Sequence, residues 1–314
     1  MHTKEEKTEF FILLGVFAIE MMIIFAYMFA VSHIPVVAQL FSNILVRSLI
    51  MYALMMVPVL LYTVVKGDKF LASFGFKKVR AVTLLLTVLL VVAAYPMIML
   101  ANFVSQLFVP NTVVQAVGGM KGVPVVSIVL SVAVLAPFAE ELVMRGFFAN
   151  RFRKIIPMAA TAILTGFLFG VLHMNLNQFC YAWVIGIIAA YVCIGSGSIY
   201  PSMLIHMIFN GFNVWMLFSP VTNMASDENL EAAQDMTGNA AELLPFIGVA
   251  AVLSVGSFFL VRFIIRKIAK IEGHLEDISK PKTIALVPNE TVLEDFRGLI
   301  ESNELQNPFE DYKK

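Results

Sequence analysis

Two adjacent carboxylates and an arginine interrupt a long apolar stretch of this 314-residue chain. Glu140, Glu141 and Arg145 fall late in the run that begins near Val123. An ionisable group at the centre of a bilayer helix costs roughly 2.5 to 3.5 kcal/mol on insertion scales, so such a cluster indicates function. On an α-helix Glu141 and Arg145 are i,i+4 neighbours that can pair, whereas Glu140 points about 100° away from Glu141. We therefore predict that Glu141 is neutralised and that Glu140 is free to react; the alternative is a buried ion-pair cluster that only fixes helix packing.

Two histidines and an asparagine are the other polar candidates in the apolar part of the chain. His173 ends one apolar run, and His206 and Asn210 share one face of a later helix by their i,i+4 spacing. Alone, each is explained by a hydrogen bond to a neighbouring helix, worth about 0.6 kcal/mol. With Glu140 they supply a carboxylate and an imidazole to activate water, and an imidazole and an amide to stabilise an oxyanion. Glu140, His173 and His206 with a water also form a common catalytic zinc set, although the His-Glu-x-x-His motif is absent.

The composition places these residues in a membrane. The chain is 59% hydrophobic and 14% charged, whereas soluble domains average about 45–50% apolar and about 25% charged residues. The net charge is zero, so nothing indicates a nucleic-acid partner. Cys180 and Cys193 fall in one predicted helix, roughly 20 Å apart, which is too far for a disulfide between them.

We predict an all-α polytopic membrane protein with about eight transmembrane helices. A helix that crosses a bilayer needs about 20 mostly apolar residues, and the fifth and sixth predicted spans are short by this measure. The predicted spans are Phe10–Val31, Asn43–Val65, Val82–Gln106, Val123–Phe148, Met158–His173, Phe179–Ile194, Tyr200–Phe218 and Leu243–Ile268.

Lysine and arginine concentrate in alternate connections between these spans, which predicts the orientation. The connections between spans two and three and between spans four and five are basic, whereas Ser219–Glu242 is acidic. Both termini are therefore predicted to be cytoplasmic.

Four regions follow from this organisation. Residues 1–122 form three N-terminal spans, and 123–218 form a four-span core that contains every candidate site residue. Residues 219–271 contain an extracytoplasmic acidic loop and the last span. Residues 272–314 are polar and predict a largely disordered cytoplasmic tail, with a short helix around Thr291–Ser302.

Three short motifs on separate predicted helices carry a resemblance to a known family. They are Glu140-Glu141-x-x-x-Arg145, Phe169-x-x-x-His173 and His206-x-x-x-Asn210. In order and spacing they resemble the motifs of the CPBP family, the Abi-like CAAX prenyl proteases and bacteriocin-processing enzymes. Each motif alone is weak, but the three together are specific, and they cover about Val123–Phe218. Position 144, often aromatic in that family, is methionine here.

The resemblance implies a membrane-embedded endopeptidase of the type II CAAX-protease kind, with a core of conserved helices in the second half of the chain. It implies that Glu140 activates a water with assistance from His173, and that His206 and Asn210 stabilise the oxyanion. The residues with implied supporting roles are Glu141 and Arg145. We expect no required cofactor; the alternative is zinc on Glu140, His173 and His206.

The expected partners are the lipid bilayer and a membrane-embedded or lipidated peptide, and the expected location is a bacterial plasma membrane. A non-catalytic bacteriocin-immunity or membrane scaffold protein could use the same polar cluster to hold helices and to recognise a partner. A transporter could use Glu and His as a proton relay, although the sequence has no repeat of the kind that many transporters contain.

Overall fold

The computed structural model describes residues 3–69, 73–109, 120, 122–218 and 239–279. In these ranges every regular element is a helix, which confirms the predicted all-α class. Most of the predicted acidic loop and the predicted tail beyond residue 279 lie outside the described residues. The helices up to that point belong to one compact unit, Met1–Lys280.

The described helices follow the predicted spans closely, and each span coincides with a helix. They are α1 (Lys4–His33), α2 (Pro35–Leu40), α3 (Ile44–Val65), α4 (Ala81–Gln106), α5 (Val125–Ile155), α6 (Met158–Leu172), α7 (Leu176–Ser196), α8 (Tyr200–Phe218), α9 (Ala240–Glu272) and α10 (Leu275–Ser279). Over the described part of the chain, six of them are long and apolar enough to cross a membrane: α1, α3, α4, α5, α7 and α9. Helix α6 has 15 residues and is shorter than a span. The chain is therefore an integral, multi-pass membrane protein.

Local capping explains where two helices begin earlier than predicted. Helix α1 starts before its apolar run because Thr3 and Glu6 form a capping box, in which each side chain accepts from the other residue's backbone N–H. Helix α7 starts before Phe179 because the side chain of Asn175 accepts a hydrogen bond from the backbone N–H of Gln178.

Helix α5 is widened on both sides of its two carboxylates. Residues Val129–Leu135 and Leu142–Ala149 are π-helical, and the α-helical turn Ala136–Glu141 lies between them. π-Helical turns are rare and occur frequently at functional sites, because the i→i+5 pattern accommodates one residue more than an α-turn. Pro137 reinforces the irregularity, since it has no backbone N–H to donate.

Helices α6 and α7 form an antiparallel hairpin that packs through glycine. A Cβ atom at Gly186 would lie 2.6 Å from the Cα atom of Gly166, so any side chain there would force the two helices apart. Both cysteines are unpaired, as predicted: Cys180 is half-buried and Cys193 is buried in α7.

A group of charged residues, the polar collar, joins one end of α1, α3 and α5. Its members are Glu9, Tyr62, Lys66, Asp68 and Arg151. Lys66 Nζ lies 3.0 Å from Glu9 Oε2, and Arg151 Nη2 lies 2.5 Å from Asp68 Oδ2. The hydroxyl of Tyr62 donates to Glu9. These contacts join three helices at one end of the molecule. The collar therefore serves as a reference for how far other residues lie along the helices.

Candidate active site

The predicted i,i+4 pair is present at the centre of α5. Arg145 Nη1 donates to Glu141 Oε1 over 2.8 Å, and both side chains are completely buried. Arg145 Nη2 donates to the carbonyl of Gly186 over 3.2 Å, and the guanidinium lies 4.5 Å from the centre of the Phe169 ring. Arginine thus ties α5 to α6 and α7 while it compensates the charge of Glu141.

His206 lies between the two carboxylates. Its Nδ1 is 3.1 Å from Glu141 Oε1, and its Nε2 is 3.7 Å from Glu140 Oε2. Because Arg145 and His206 share the same oxygen of Glu141, that carboxylate orients the imidazole as well as the guanidinium. From this geometry we assign the donated proton to Nδ1, so that Nε2 is directed toward Glu140.

His173 is the residue that ends α6 and begins the turn to α7. Its Nδ1 lies 2.9 Å from the carbonyl oxygen of Phe169, so we assign the proton to Nδ1 and leave Nε2 as an acceptor. The Phe169 ring contacts both imidazoles edge-on, with ring centres 4.9 Å from His173 and 5.4 Å from His206. One aromatic side chain therefore orients both histidines.

Asn210 is held by a carbonyl that the π-helical turn leaves without a helical partner. In this turn the N–H of Ala136 donates to the carbonyl of Ser131, the i→i−5 pattern. The next donor in that register would be Pro137, which has no N–H, so the carbonyl of Val132 lacks a helical donor. The side-chain Nδ2 of Asn210 donates to it over 2.9 Å.

These side chains converge on a cavity of about 270 Å³. The predicted site residues that line it are Glu140, His173, His206 and Asn210. Glu140 Oε2 is buried and has no hydrogen-bond partner among the described residues. Glu141 and Arg145 lie behind the lining. The four predicted lining residues therefore present one carboxylate, two imidazoles and one amide to whatever enters the cavity.

Among the other polar groups near this site, Tyr52, Gln178 and Glu20 were not predicted from the sequence. Tyr52 of α3 and Gln178 of α7 line the cavity. Glu20 of α1 is completely buried and has no hydrogen-bond partner among the described residues. The signal for Glu20 was present, because it is the one acidic residue in the apolar run Phe10–Val31 and an intramembrane carboxyl indicates function by default.

A zinc centre needs three side chains that converge on one point. In the described ranges, no group of three or more His, Cys, Asp or Glu side chains is arranged to hold a metal ion. The arrangement of Glu140, His173 and His206 described above therefore does not provide a three-ligand centre. Metal analysis of the purified protein, together with a chelator test, would show directly whether these three side chains rearrange to bind zinc.

The fold and the buried cluster define a multi-pass membrane protein with a carboxylate–histidine site. Residues 122–212 match the family model described as "Type II CAAX prenyl endopeptidase Rce1-like". The matched residues lie almost entirely within the predicted four-span core, and the match confirms the resemblance found in the sequence. No curated protein and no solved structure matches the chain.

Proposed function

We propose that the protein is an intramembrane endopeptidase that hydrolyses a peptide bond of a membrane-embedded or lipidated peptide. The observation that carries the proposal is the pairing of Glu140 with His206, at 3.7 Å, on a buried cavity inside a domain of a prenyl-endopeptidase family. A buried carboxylate with a free oxygen beside an imidazole is a suitable arrangement for water activation.

In the proposed mechanism, Glu140 acts as the general base. Its unpartnered Oε2 accepts a proton from a water in the cavity, and His173 assists by accepting a hydrogen bond from that water at Nε2. The water oxygen forms a bond to the carbonyl carbon of the substrate. Glu140 then gives its proton to the leaving amine as the C–N bond breaks, which returns the carboxylate to its starting state.

His206 and Asn210 stabilise the negative charge that develops on the substrate oxygen. His206 donates from Nε2 when that nitrogen carries a proton, while Glu141 accepts from Nδ1 and balances the charge of the ring. Asn210 has two amide hydrogens; one is held by the carbonyl of Val132, and the other is available to the oxyanion. Both side chains are held in position before the reaction, which is what makes such a site effective.

We also propose that the end of the molecule with the polar collar faces the cytoplasm, in keeping with the predicted charge bias. Glu140 precedes Arg151 of the collar by eleven residues, which is roughly 16 Å along a helix. This depth suits a peptide that lies within the bilayer or is anchored there by a lipid.

A comparison of new peptide termini in membranes from matched strains tests the proposal. The strains produce the wild type, Glu140→Gln, or Glu5→Gln at equal levels, and a fourth lacks the protein. Glu5→Gln makes the same amide replacement at an exposed carboxylate of α1 and controls for the substitution itself. We expect the same termini with the wild type and Glu5→Gln, and none of them with Glu140→Gln, a loss of about 10²- to 10⁴-fold.

The alternative, a non-catalytic immunity or scaffold protein, gives the opposite pattern. A neutral isostere of Glu140 keeps packing and hydrogen bonds, so Glu140→Gln would then match the wild type in termini and in phenotype while the deletion strain differs. That result would refute the catalytic reading and leave the cluster as a recognition or packing feature.

A further inference from the structure

Glu20 is a carboxyl group whose surroundings disfavour its charged form. It is completely buried in the middle of α1, and neither of its oxygens has a hydrogen-bond partner among the described residues. An isolated carboxylate in apolar surroundings is unfavourable, so a buried group of this kind is neutral, or is hydrogen-bonded by a partner or an ordered water. The mechanism described above does not use it.

Aromatic contacts fix which part of α5 lies opposite Glu20. The rings of Phe10 and Phe152 have centres 5.4 Å apart, and those of Phe17 and Phe148 have centres 5.8 Å apart. Helices α1 and α5 are therefore antiparallel along this contact. Glu20 lies about one helical turn further along α1 than Phe17. Moving in the same direction along α5 leads from Phe148 toward Glu140.

The two carboxyls are also equally far along the chain from the polar collar. Glu20 follows Glu9 by eleven residues, and Glu140 precedes Arg151 by eleven residues. Each is therefore about three helical turns from the collar. Helix α3 packs against both α1 and α5 and places Tyr52 in the same cavity as Glu140.

We infer that Glu20 is a positioning residue: a neutral carboxyl that donates a hydrogen bond to a water, which in turn donates to Glu140. Two neighbouring carboxyls removed from water do not both ionise. Glu20 is completely buried without a partner, which favours its neutral form, whereas Glu140 lines the cavity and has His206 beside it. This inference deepens the proposed function and rests on it for the catalytic role of Glu140.

The groups that surround this pair are few. Helix α3 contributes the Tyr52 hydroxyl, and the far side of Glu140 faces His173 and His206. The buried cation Arg145 is already paired with Glu141. In this arrangement the donor that Glu20 supplies would hold the Glu140 carboxylate, and any water bound between the two, in a fixed orientation on the α1 side.

Three variants separate this role from packing. Glu20→Gln retains a hydrogen-bond donor, Glu20→Leu removes it, and Ile24→Ala damages the same buried face of α1 without touching a polar group.

We expect kcat to fall about tenfold in Glu20→Leu and less in Glu20→Gln, with KM unchanged. The acid limb of the kcat/KM profile should move to higher pH in Glu20→Leu and by a smaller step in Glu20→Gln, because the ionised base has lost its donor. Ile24→Ala should lower thermal stability and leave the limb in place.

Infrared difference spectroscopy gives a readout that does not depend on activity. The C=O stretch of a protonated carboxyl should be present in the wild type, lost in Glu20→Gln, and shifted in frequency in Glu140→Gln. Retention of the band in Glu20→Gln, or an acid limb that does not move in Glu20→Leu, would overturn the inference. If the band behaves as expected while Glu140→Gln still produces every wild-type terminus, the coupling of the two carboxyls holds and the protease proposal fails instead.

Discussion

The polar collar and the active-site cluster both combine acidic and basic side chains and share helix α5, yet they balance their charges differently. In the collar, Glu9 pairs with Lys66 and Asp68 pairs with Arg151, and three of these four side chains are at least partly exposed to solvent. The active-site cluster contains three buried or half-buried acids, and among the described residues that surround them Arg145 is the one permanent cation. The collar therefore fastens helices, whereas the surplus of acid in the cluster leaves one carboxylate available for proton transfer.

The two adjacent carboxylates of α5 show the same contrast within a single turn. Glu141 is completely buried and accepts hydrogen bonds from Arg145 and His206. Its carboxylate therefore holds these two side chains in place. Glu140 lines the cavity, and its Oε2 lies 3.7 Å from Nε2 of His206. Adjacent residues of one helix point to different sides, and this rotation separates the structural acid from the one that we propose to be reactive.

The strongest test of this contrast is the removal of the buried cation. Arg145→Met leaves the charge of Glu141 without compensation, and breaking a buried pair in this way costs about 3–5 kcal/mol. We expect a large loss of thermal stability in detergent, part of which Glu141→Gln restores when the two substitutions are combined. Glu140→Gln should unfold at the wild-type temperature. A Glu140→Gln protein as unstable as Arg145→Met would show that both acids are structural.

A second test asks whether the amide on α8 serves catalysis or packing. Asn210→Ala removes an oxyanion donor and should lower cleavage of the peptide identified by terminus mapping by about 10²- to 10³-fold, a range typical of a lost oxyanion donor. It also leaves the carbonyl of Val132 without its donor, so activity has to be expressed per folded molecule. Unchanged activity per folded molecule would assign Asn210 to packing alone.

The smallest effect is expected in the collar. Asp68→Asn removes one partner of a pair whose carboxylate is 40% exposed, and exposed ion pairs contribute about 0.2–1 kcal/mol. The arginine keeps its position 4.0 Å above the ring of Phe147. We expect a slight fall in unfolding temperature at low salt that disappears at high salt, and unchanged cleavage. A loss of cleavage would mean that the collar takes part in the site.

The features predicted correctly from the sequence depend on spacing along one helix. Hydropathy located each span, and the i,i+4 spacing of Glu141 and Arg145 is sufficient to predict their pair. The contacts that were not predicted depend on tertiary structure. The bond from Asn210 to Val132 requires the π-helical register ahead of Pro137, which no α-helical periodicity indicates. The approach of Glu20 to the site depends on the register of α1 against α5, which aromatic contacts set in three dimensions.

The widened turns of α5 have a consequence for how the site tolerates changes in chain length. A π-helical turn contains one residue more than an α-helical turn, so it behaves as an insertion that the helix has absorbed without ending. Losing one residue from Val129–Leu135 would allow an ordinary α-helix to form there. The helix would remain continuous, and because the lost residue is the one that the wide turn had absorbed, the two ends would keep nearly the same relative orientation. Glu140 would stay on the cavity side, whereas the loss of one residue from an α-helical stretch would rotate everything beyond it by about 100°.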